Sequence, residues 1–244
     1  TDSEPEFVGV FIGAMLLYMV VLMYAAAVMR AAMEEKTGRI VEILISSIRP
    51  WELMLGKIIG VGSVGLTQLA VWILGGILVL TFGLPALVAA RPDLVDPQNI
   101  AQALPGLEQV ALFIALCLGG YFLYAGFYSA VGAMCSTEEE AQQAQFPVVI
   151  LLVAPMILLM PVMENPNSTM AVFVSMFPFF SPVLLYARAG AGSVPLWQIG
   201  TALALLYASV WVVAWVAGRI YRVGILMQGK RPTVPELWRW VKEA

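Results

Sequence analysis

The 244-residue sequence contains no histidine, the residue that most often serves proteins as general base and as metal ligand. It has only two cysteines, Cys117 and Cys135, on what reads as one helix. Their separation of 18 residues corresponds to roughly 27 Å of helix, so they cannot form an intrachain disulfide. We therefore expect no catalytic residue, no cofactor or metal site and no disulfide framework in this chain.

Charged residues are scarce and apolar residues dominate. Only 12% of the residues are charged, 61% are hydrophobic, and the mean hydropathy is +0.87, values that lie outside those of soluble domains. Five apolar stretches are long enough to cross a bilayer core of about 30 Å as helices. They lie near 8–29, 58–82, 109–134, 146–163 and 198–218. The sequence predicts an all-α polytopic membrane protein in which residues 1–244 form a single transmembrane domain.

None of the five predicted spans contains an Asp, Glu, Lys or Arg residue. Proton relays and ion-coupled transporters ordinarily place an ionisable group within the membrane. Transport by this chain would therefore need free energy from elsewhere, such as a nucleotide-hydrolysing subunit. The same absence argues against an intramembrane protease, which needs acid–base residues or a metal. The polar side chains left either to line a pathway or to satisfy interhelical hydrogen bonds are Ser63, Thr67, Gln68, Tyr121, Tyr124, Tyr128 and Ser129.

The 13 basic residues are distributed asymmetrically about the predicted spans. Only Arg91 and Arg188 fall on one side, and the others fall on the opposite side. Lys and Arg accumulate in cytoplasmic loops, so this bias predicts a multi-pass protein of the plasma membrane with an external N-terminus and a cytoplasmic C-terminus. The basic residues form no stripe suited to nucleic acid. The larger set is Arg30, Lys36, Arg39, Arg49, Lys57, Arg219, Arg222, Lys230, Arg231, Arg239 and Lys242.

Three segments outside the predicted spans have interpretable patterns. The cytoplasmic segment 30–57 contains an amphipathic helix over 34–48, which ends before Pro50. A capping box, Thr233 to Glu236, predicts a cytoplasmic C-terminal helix over 233–243. The external segment 164–196 is apolar, yet it is too short and too rich in proline to span. A re-entrant or surface-lying hairpin is expected there.

Patterns of glycine, proline and acidic residues predict further local features of the spans and of one loop. The glycines of 60–65 have the spacing of a dinucleotide loop, but they lie inside a span and lack an acidic partner for a ribose, so they predict close helix packing. Pro147, Pro155 and Pro161 predict a kinked or partly unwound fourth span whose freed carbonyls are satisfied by neighbouring protein. The acidic run 138–140 is either a helix start or a docking patch for a basic partner.

Four stretches of the sequence together resemble the permease subunits of type 2 ABC exporters, in particular the NatB-like sodium-efflux branch. They are EEKTGRIVEILISSIRPWELMLGKIIGVG at 34–62, STEEEAQQAQFP at 136–147, FPFFSPVLLYARAGAGSVPLWQ at 177–198 and GRIYRVGILMQGKRPTVPELWRWVK at 218–242. Their order and spacing match over most of the chain.

The resemblance implies partners and roles. The chain would pair with a second permease copy or paralogue and with cytoplasmic ABC ATPase subunits, which bind the ATP and magnesium. The segment after the first span would couple to the ATPase, and the hairpin would form an external gate. By motif position, the coupling residues are Glu34, Glu35, Thr37, Arg39, Glu42 and Arg49, and the gate residues are Phe177, Pro178, Phe179, Ser181 and Pro182.

The resemblance leaves other properties open. Family members carry an earlier span and, in this branch, a large external domain, so the sequence is expected to be the C-terminal membrane part, as a fragment or a remnant. Relatives export ions, peptides, lipids and drugs, and the lack of an intramembrane carboxylate argues against sodium as the substrate. The alternative to an exporter is a non-transporting scaffold subunit of a larger membrane complex.

Overall fold

A computed structural model describes residues 4–37, 48–83, 85 and 106–225. All regular secondary structure in these ranges is helical. The helices are α1 (Glu4–Thr37), α2 (Pro50–Leu78), α3 (Leu107–Met134), α4 (Glu138–Ala144), α5 (Phe146–Glu164), α6 (Thr169–Met176), α7 (Ser181–Ala191) and α8 (Leu196–Gly224), and a π-helical turn, Val79–Gly83, extends α2.

Five of these helices are long and apolar enough to cross a membrane: α1, α2, α3, α5 and α8. The predicted fold class, an all-helical polytopic membrane protein with about five spans, is confirmed. Helix α1 continues beyond the predicted span and includes residues 34–37. The rest of the predicted amphipathic helix, from 38 to 47, and the predicted C-terminal helix over 233–243 lie outside the described residues.

Helix α3 forms the centre of the bundle, where α1 and α8 pack most extensively against it and α2, α5 and α7 also contact it. Small residues permit this close packing. A Cβ atom added at Gly132 would lie 2.6 Å from the backbone oxygen of Met29, and one added at Gly126 would lie 2.8 Å from Cγ1 of Val213. Because the neighbour at Gly132 is backbone, it cannot move aside without displacing α1.

The two ends of the bundle differ in their number of Lys and Arg residues. We call the basic end the one where α1, α3 and α8 end and α2 begins. Among the described residues, this end carries Arg30, Lys36, Arg49, Lys57, Arg219 and Arg222, together with Glu34, Glu35, Glu52 and Glu138 to Glu140. At the opposite end, called the far end, the described charged side chains are Glu108, Glu164 and Arg188.

Helices α6 and α7 form a re-entrant hairpin whose tip, residues 177–180, reaches the middle of the bundle. Pro182 begins the return helix and contacts Gly120, which lies 13 residues after Leu107 and 14 before Met134. This contact is roughly 20 Å below the start of α3. At the other end of α7, Gly190 packs against Val10, near the start of α1. The structure thus selects the re-entrant alternative over the surface-lying one.

Helix α5 is continuous from Phe146 to Glu164 although it contains Pro155 and Pro161. The structure therefore does not show the unwinding that the prolines predict. Pro155 has no N–H to offer the carbonyl of Leu151, four residues earlier. The hydroxyl of Tyr124 on α3 lies 3.2 Å from that oxygen and donates to it instead. A neighbouring helix thus satisfies the carbonyl that this proline frees.

Candidate functional site

Two buried or partly buried lysines join four helices at the basic end, and we call their contacts the lysine clamp. Lys36, in the last turn of α1, is only 7% exposed. Its Nζ donates to the backbone oxygen of Ala133 at 2.8 Å and to that of Gly224 at 3.0 Å. These oxygens lie at the C-terminal ends of α3 and α8, where the helix dipole favours a positive charge. One amine therefore fastens three helices together.

Lys57 forms the second half of the clamp. From the second turn of α2, its Nζ donates to the backbone oxygen of Ala31 at 2.7 Å and forms an ion pair with Glu35 Oε2, also at 2.7 Å. Both acceptors belong to α1. The two helices that flank residues 38–49 are thus tied to each other, and Lys36 ties them to α3 and α8.

The lysine clamp includes one of the coupling residues implied by the resemblance, Glu35, which pairs with Lys57. Sequence reasoning did not identify Lys36 or Lys57 as site residues, although a lysine in the last turn of a span is a recognisable signal for carbonyl capping. Of the other coupling residues, Glu34 and Thr37 lie in the last turn of α1 and Arg49 directly precedes α2. Arg39 and Glu42 lie outside the described residues. The coupling role of all six stays a prediction.

The acidic run at the basic end begins a helix, in agreement with the first of its two interpretations. Thr137 caps α4, since its Oγ1 accepts from the backbone N–H of Glu140 at 3.2 Å. The carboxylate of Glu140 in turn accepts from the N–H of Ser136 at 2.9 Å. These two bonds, one to the N-cap residue Thr137 and one to the residue before it, fix the start of α4 in the connection between α3 and α5.

At the far end, Arg188 holds the re-entrant hairpin in place, and we call its contacts the arginine latch. The side chain is 1% exposed. Its Nε donates to the backbone oxygen of Pro166 at 2.6 Å, and its two terminal nitrogens donate to Ser175 Oγ at 3.2 Å and Gln198 Oε1 at 2.6 Å. The latch therefore connects α7 to α6, to α8 and to the turn after α5. Sequence reasoning used Arg188 only as a marker of sidedness and missed this role.

The residues implied as an external gate form the tip of the hairpin and the start of α7. Phe177 contacts Phe179 and Phe180, with ring centroids 5.3 Å and 4.9 Å apart. Ser181 is buried and donates to the oxygen of Pro178 at 3.2 Å, and Pro182 is buried against α3. The structure brings these residues together in the middle of the bundle. Their action as a gate stays a prediction.

Tyr124 connects the hairpin tip to the spans. Its hydroxyl lies 2.8 Å from the backbone oxygen of Phe179 as well as 3.2 Å from that of Leu151, so its single hydrogen is shared between the hairpin and α5. Tyr121 similarly donates to the oxygen of Ile58 on α2 at 2.6 Å. These two side chains therefore form interhelical hydrogen bonds here, and their lining of a pathway stays a prediction.

The remaining pathway candidates divide between the core and an open face. Ser129 is buried and donates to Gly126 of its own helix. Ser63 and Thr67 are exposed and donate to backbone oxygens one turn earlier on α2, and Gln68 is half-buried. Gly56 and Gly60 continue the exposed face of α2, and no atom of the described residues lies within 4 Å of a Cβ added at either. We call Gly56, Gly60, Ser63 and Thr67 the open face of α2.

Tyr124→Phe is expected to lower the free energy of unfolding by about 1–2 kcal/mol, because two buried carbonyls lose their shared donor. Chemical denaturation of the purified protein in detergent measures the change. Ser129→Ala is the control, since its hydroxyl bonds only within its own helix, and it should have a clearly smaller effect. Equal stabilities for the two variants would contradict the assigned role of Tyr124.

The family described as "ABC-2 family transporter protein" matches residues 1–219. The chain belongs to the ABC-2 transporter family. ABC-2 permeases are generally non-catalytic, multi-pass membrane components that normally pair with a cytoplasmic ATPase.

Two curated relatives are similar to this ABC-2 permease domain. The uncharacterized protein YhaP of Bacillus subtilis is 31% identical over 220 residues, which cover 90% of this chain and 52% of the relative. The uncharacterized protein MJ1024 of Methanocaldococcus jannaschii is 27% identical over 224 residues, which cover 90% of this chain and 50% of the relative. The chain thus spans about half the length of these relatives. No solved structure matches it significantly.

Proposed function

We propose that this ABC-2 chain is the permease subunit of an ATP-driven exporter and that its basic end faces the cytoplasm and the ATPase. The observation that carries the proposal is the lysine clamp. A force applied to residues 38–49 would reach both flanking helices directly, and Lys36 would pass it to α3 and α8. A short cytoplasmic segment could in this way move most of the bundle.

The charge distribution supports this orientation. The described part of the chain has six Lys and Arg residues at the basic end and only Arg188 at the far end. Lys and Arg flanking spans are retained on the cytoplasmic side. Arg188 is also buried within protein, so it contributes no exposed positive charge to the far end.

The need for an external energy source follows from the spans. Away from the basic end, the described membrane-spanning helices bury no Asp, Glu, Lys or Arg that could bind an ion or relay a proton. A transport cycle needs two conformations whose relative free energies are changed by an outside event. ATP binding and hydrolysis on a partner that contacts the basic end would supply this event, with the NatB-like exporters as the proposed branch.

A second permease copy or a paralogue would complete the pathway along the open face of α2. Small residues let helices approach closely in membranes, and Gly56 and Gly60 offer such a surface. Ser63 and Thr67 place hydroxyls on the same face and bond to their own helix, so the face is polar without being charged. The hairpin tip, about halfway across, would close this pathway toward the outside.

The double charge reversal Arg39→Glu with Glu42→Arg is expected to separate ATP hydrolysis from transport, because it inverts the charges of the segment proposed to meet the ATPase. The protein is purified with its partner ATPase and reconstituted in vesicles, where ATPase activity and its stimulation by transported compounds are measured. Stimulation should be lost while basal hydrolysis remains. Arg30→Gln, which alters an exposed charge on α1, is the control.

Two outcomes would contradict the proposal. The first is unchanged stimulation in the charge-reversed variant. The second is copurification with other membrane proteins and without an ATPase that carries a phosphate-binding loop. The second result would favour the non-transporting scaffold instead.

A further inference from the structure

A groove at the basic end lies between the beginning of α2 and the end of α8 and has a volume of about 750 Å³. Its lining combines arginine and tryptophan side chains. The arginines are Arg49, Arg219 and Arg222, and the tryptophans are Trp51, Trp211 and Trp215.

The body of the groove is apolar and open to the outside of the bundle. Trp211 is 80% exposed and Trp215 is 54% exposed, and both lie on α8 facing away from the core. Met54 and Gly218 also line the groove between the two helices. Trp215 and Trp211 precede Arg219 by about one and two helical turns, so their rings form an apolar wall that leads from the arginines into the membrane-spanning part of α8.

The arginines give one end of the groove a positive charge. None of the described residues that line it is acidic. The guanidinium of Arg219 lies 3.9 Å from the ring centroid of Trp215, which orients it beside the apolar wall. Arg49 and Arg222 are exposed. Guanidinium groups bind phosphate oxygens through paired, charge-assisted hydrogen bonds, so three of them suit a phosphate group.

We propose that this groove binds a phospholipid with an anionic headgroup. The phosphate lies among Arg49, Arg219 and Arg222, and an acyl chain lies along Trp211 and Trp215. The groove matches such a lipid in charge and shape, because its arginines continue into an apolar channel, and basic pockets between spans bind anionic headgroups. The site goes beyond the proposed transport function, because it needs neither the ATPase nor a second permease.

Quenching of tryptophan fluorescence by brominated lipid tests this site in the full chain. Trp72, Trp197, Trp238 and Trp240 are replaced by Phe, so that only the groove tryptophans report. The protein is reconstituted in phosphatidylcholine vesicles with increasing mole fractions of either brominated phosphatidylglycerol or brominated phosphatidylcholine. We expect the anionic lipid to quench at lower mole fractions than the zwitterionic lipid.

Variants of the groove arginines test whether these residues cause the preference for the anionic lipid. R219Q with R222Q is expected to lower the relative affinity for the anionic lipid roughly 10-fold or more. R219K with R222K should retain most of it, and R30Q, an exposed arginine outside the groove, is the matched control. R49Q provides an independent variant at an exposed position and should also reduce the preference if the double variant does not fold.

Several results would overturn the proposal. Equal quenching by the two lipids in the parent protein would show that the groove does not select charge. If R219Q/R222Q and R49Q both kept the full preference for the anionic lipid, the lipid-binding site would lie outside this groove. Loss of the preference in millimolar inorganic phosphate would indicate a free-phosphate site. Absence of quenching by either lipid would show that protein covers the groove.

Discussion

Lys36→Met should lower the free energy of unfolding by about 3 kcal/mol, because the carbonyls of Ala133 and Gly224 both lose a charged donor in a buried position. For a chain of this size the melting temperature should fall by roughly 10 °C. The methionine keeps the length and apolar stem of the side chain, so the change isolates the amine. Thermal unfolding in detergent, followed by intrinsic fluorescence, measures the effect.

Arg30→Met is the matched control for this prediction. Arg30 also lies near the end of α1, but its side chain is exposed, and the change should alter stability by less than about 0.5 kcal/mol. Similar melting temperatures for the two variants would mean that the lysine clamp does not stabilise the bundle. If the clamp also transmits movement, Lys36→Met should lose substrate-stimulated ATP hydrolysis at temperatures where it remains folded.

Arg188→Leu is expected to cost about 2–3 kcal/mol and to loosen the hairpin. Two opposing terms contribute. Removing the buried guanidinium stabilises the fold by the free energy that its desolvation costs. It also destabilises the fold, because the oxygen atoms of Pro166 and Gln198 lose their hydrogen-bond donors. We expect the second term to prevail, because three bonds from one guanidinium connect α6, α7 and α8. Backbone amides of 169–191 should then exchange hydrogen faster, which mass spectrometry of exchanged peptides measures.

The variant Arg188→Lys separates geometry from charge. A lysine keeps the positive charge in the same buried site, but a single amine cannot reproduce the three directions of the guanidinium. We therefore expect Arg188→Lys to be as destabilising as Arg188→Leu. Full stability with lysine would contradict the assigned geometry of the arginine latch. Glu164→Gln, an exposed change at the same end, serves as the control.

Long apolar runs made the spans predictable, because a bilayer imposes both their length and their lack of charge. The hairpin was also predictable in outline, since the stretch around Phe177 is apolar but too short to cross. The depth of the hairpin could not be predicted, because the packing of Pro182 against Gly120 determines how far the tip enters the bundle.

The buried charges could not be predicted in the same way. Lys36 reaches partners that are 97 and 188 residues distant along the chain, so no local pattern could identify them. Both Lys36 and Arg188 were read from the sequence as markers of sidedness, a use that assumes contact with water. The role of Tyr124 had a usable signal, because Pro155 guarantees a carbonyl without its helical partner. The sequence alone could not show that Tyr124 lies next to the carbonyl that Pro155 frees on another helix.

The two attachments of the hairpin are unequal, and this inequality determines how it can move. The latch at the far end uses three charge-assisted bonds, whereas the tip shares the hydroxyl hydrogen of Tyr124 with α5 and is otherwise held by apolar packing, such as that of Phe179 against Phe127 and of Pro182 against Gly120. Displacement of the tip would leave that hydrogen to Leu151, so α5 would keep its donor. If the hairpin moves, we therefore expect its end at Arg188 to stay attached and its tip to be the part that is displaced.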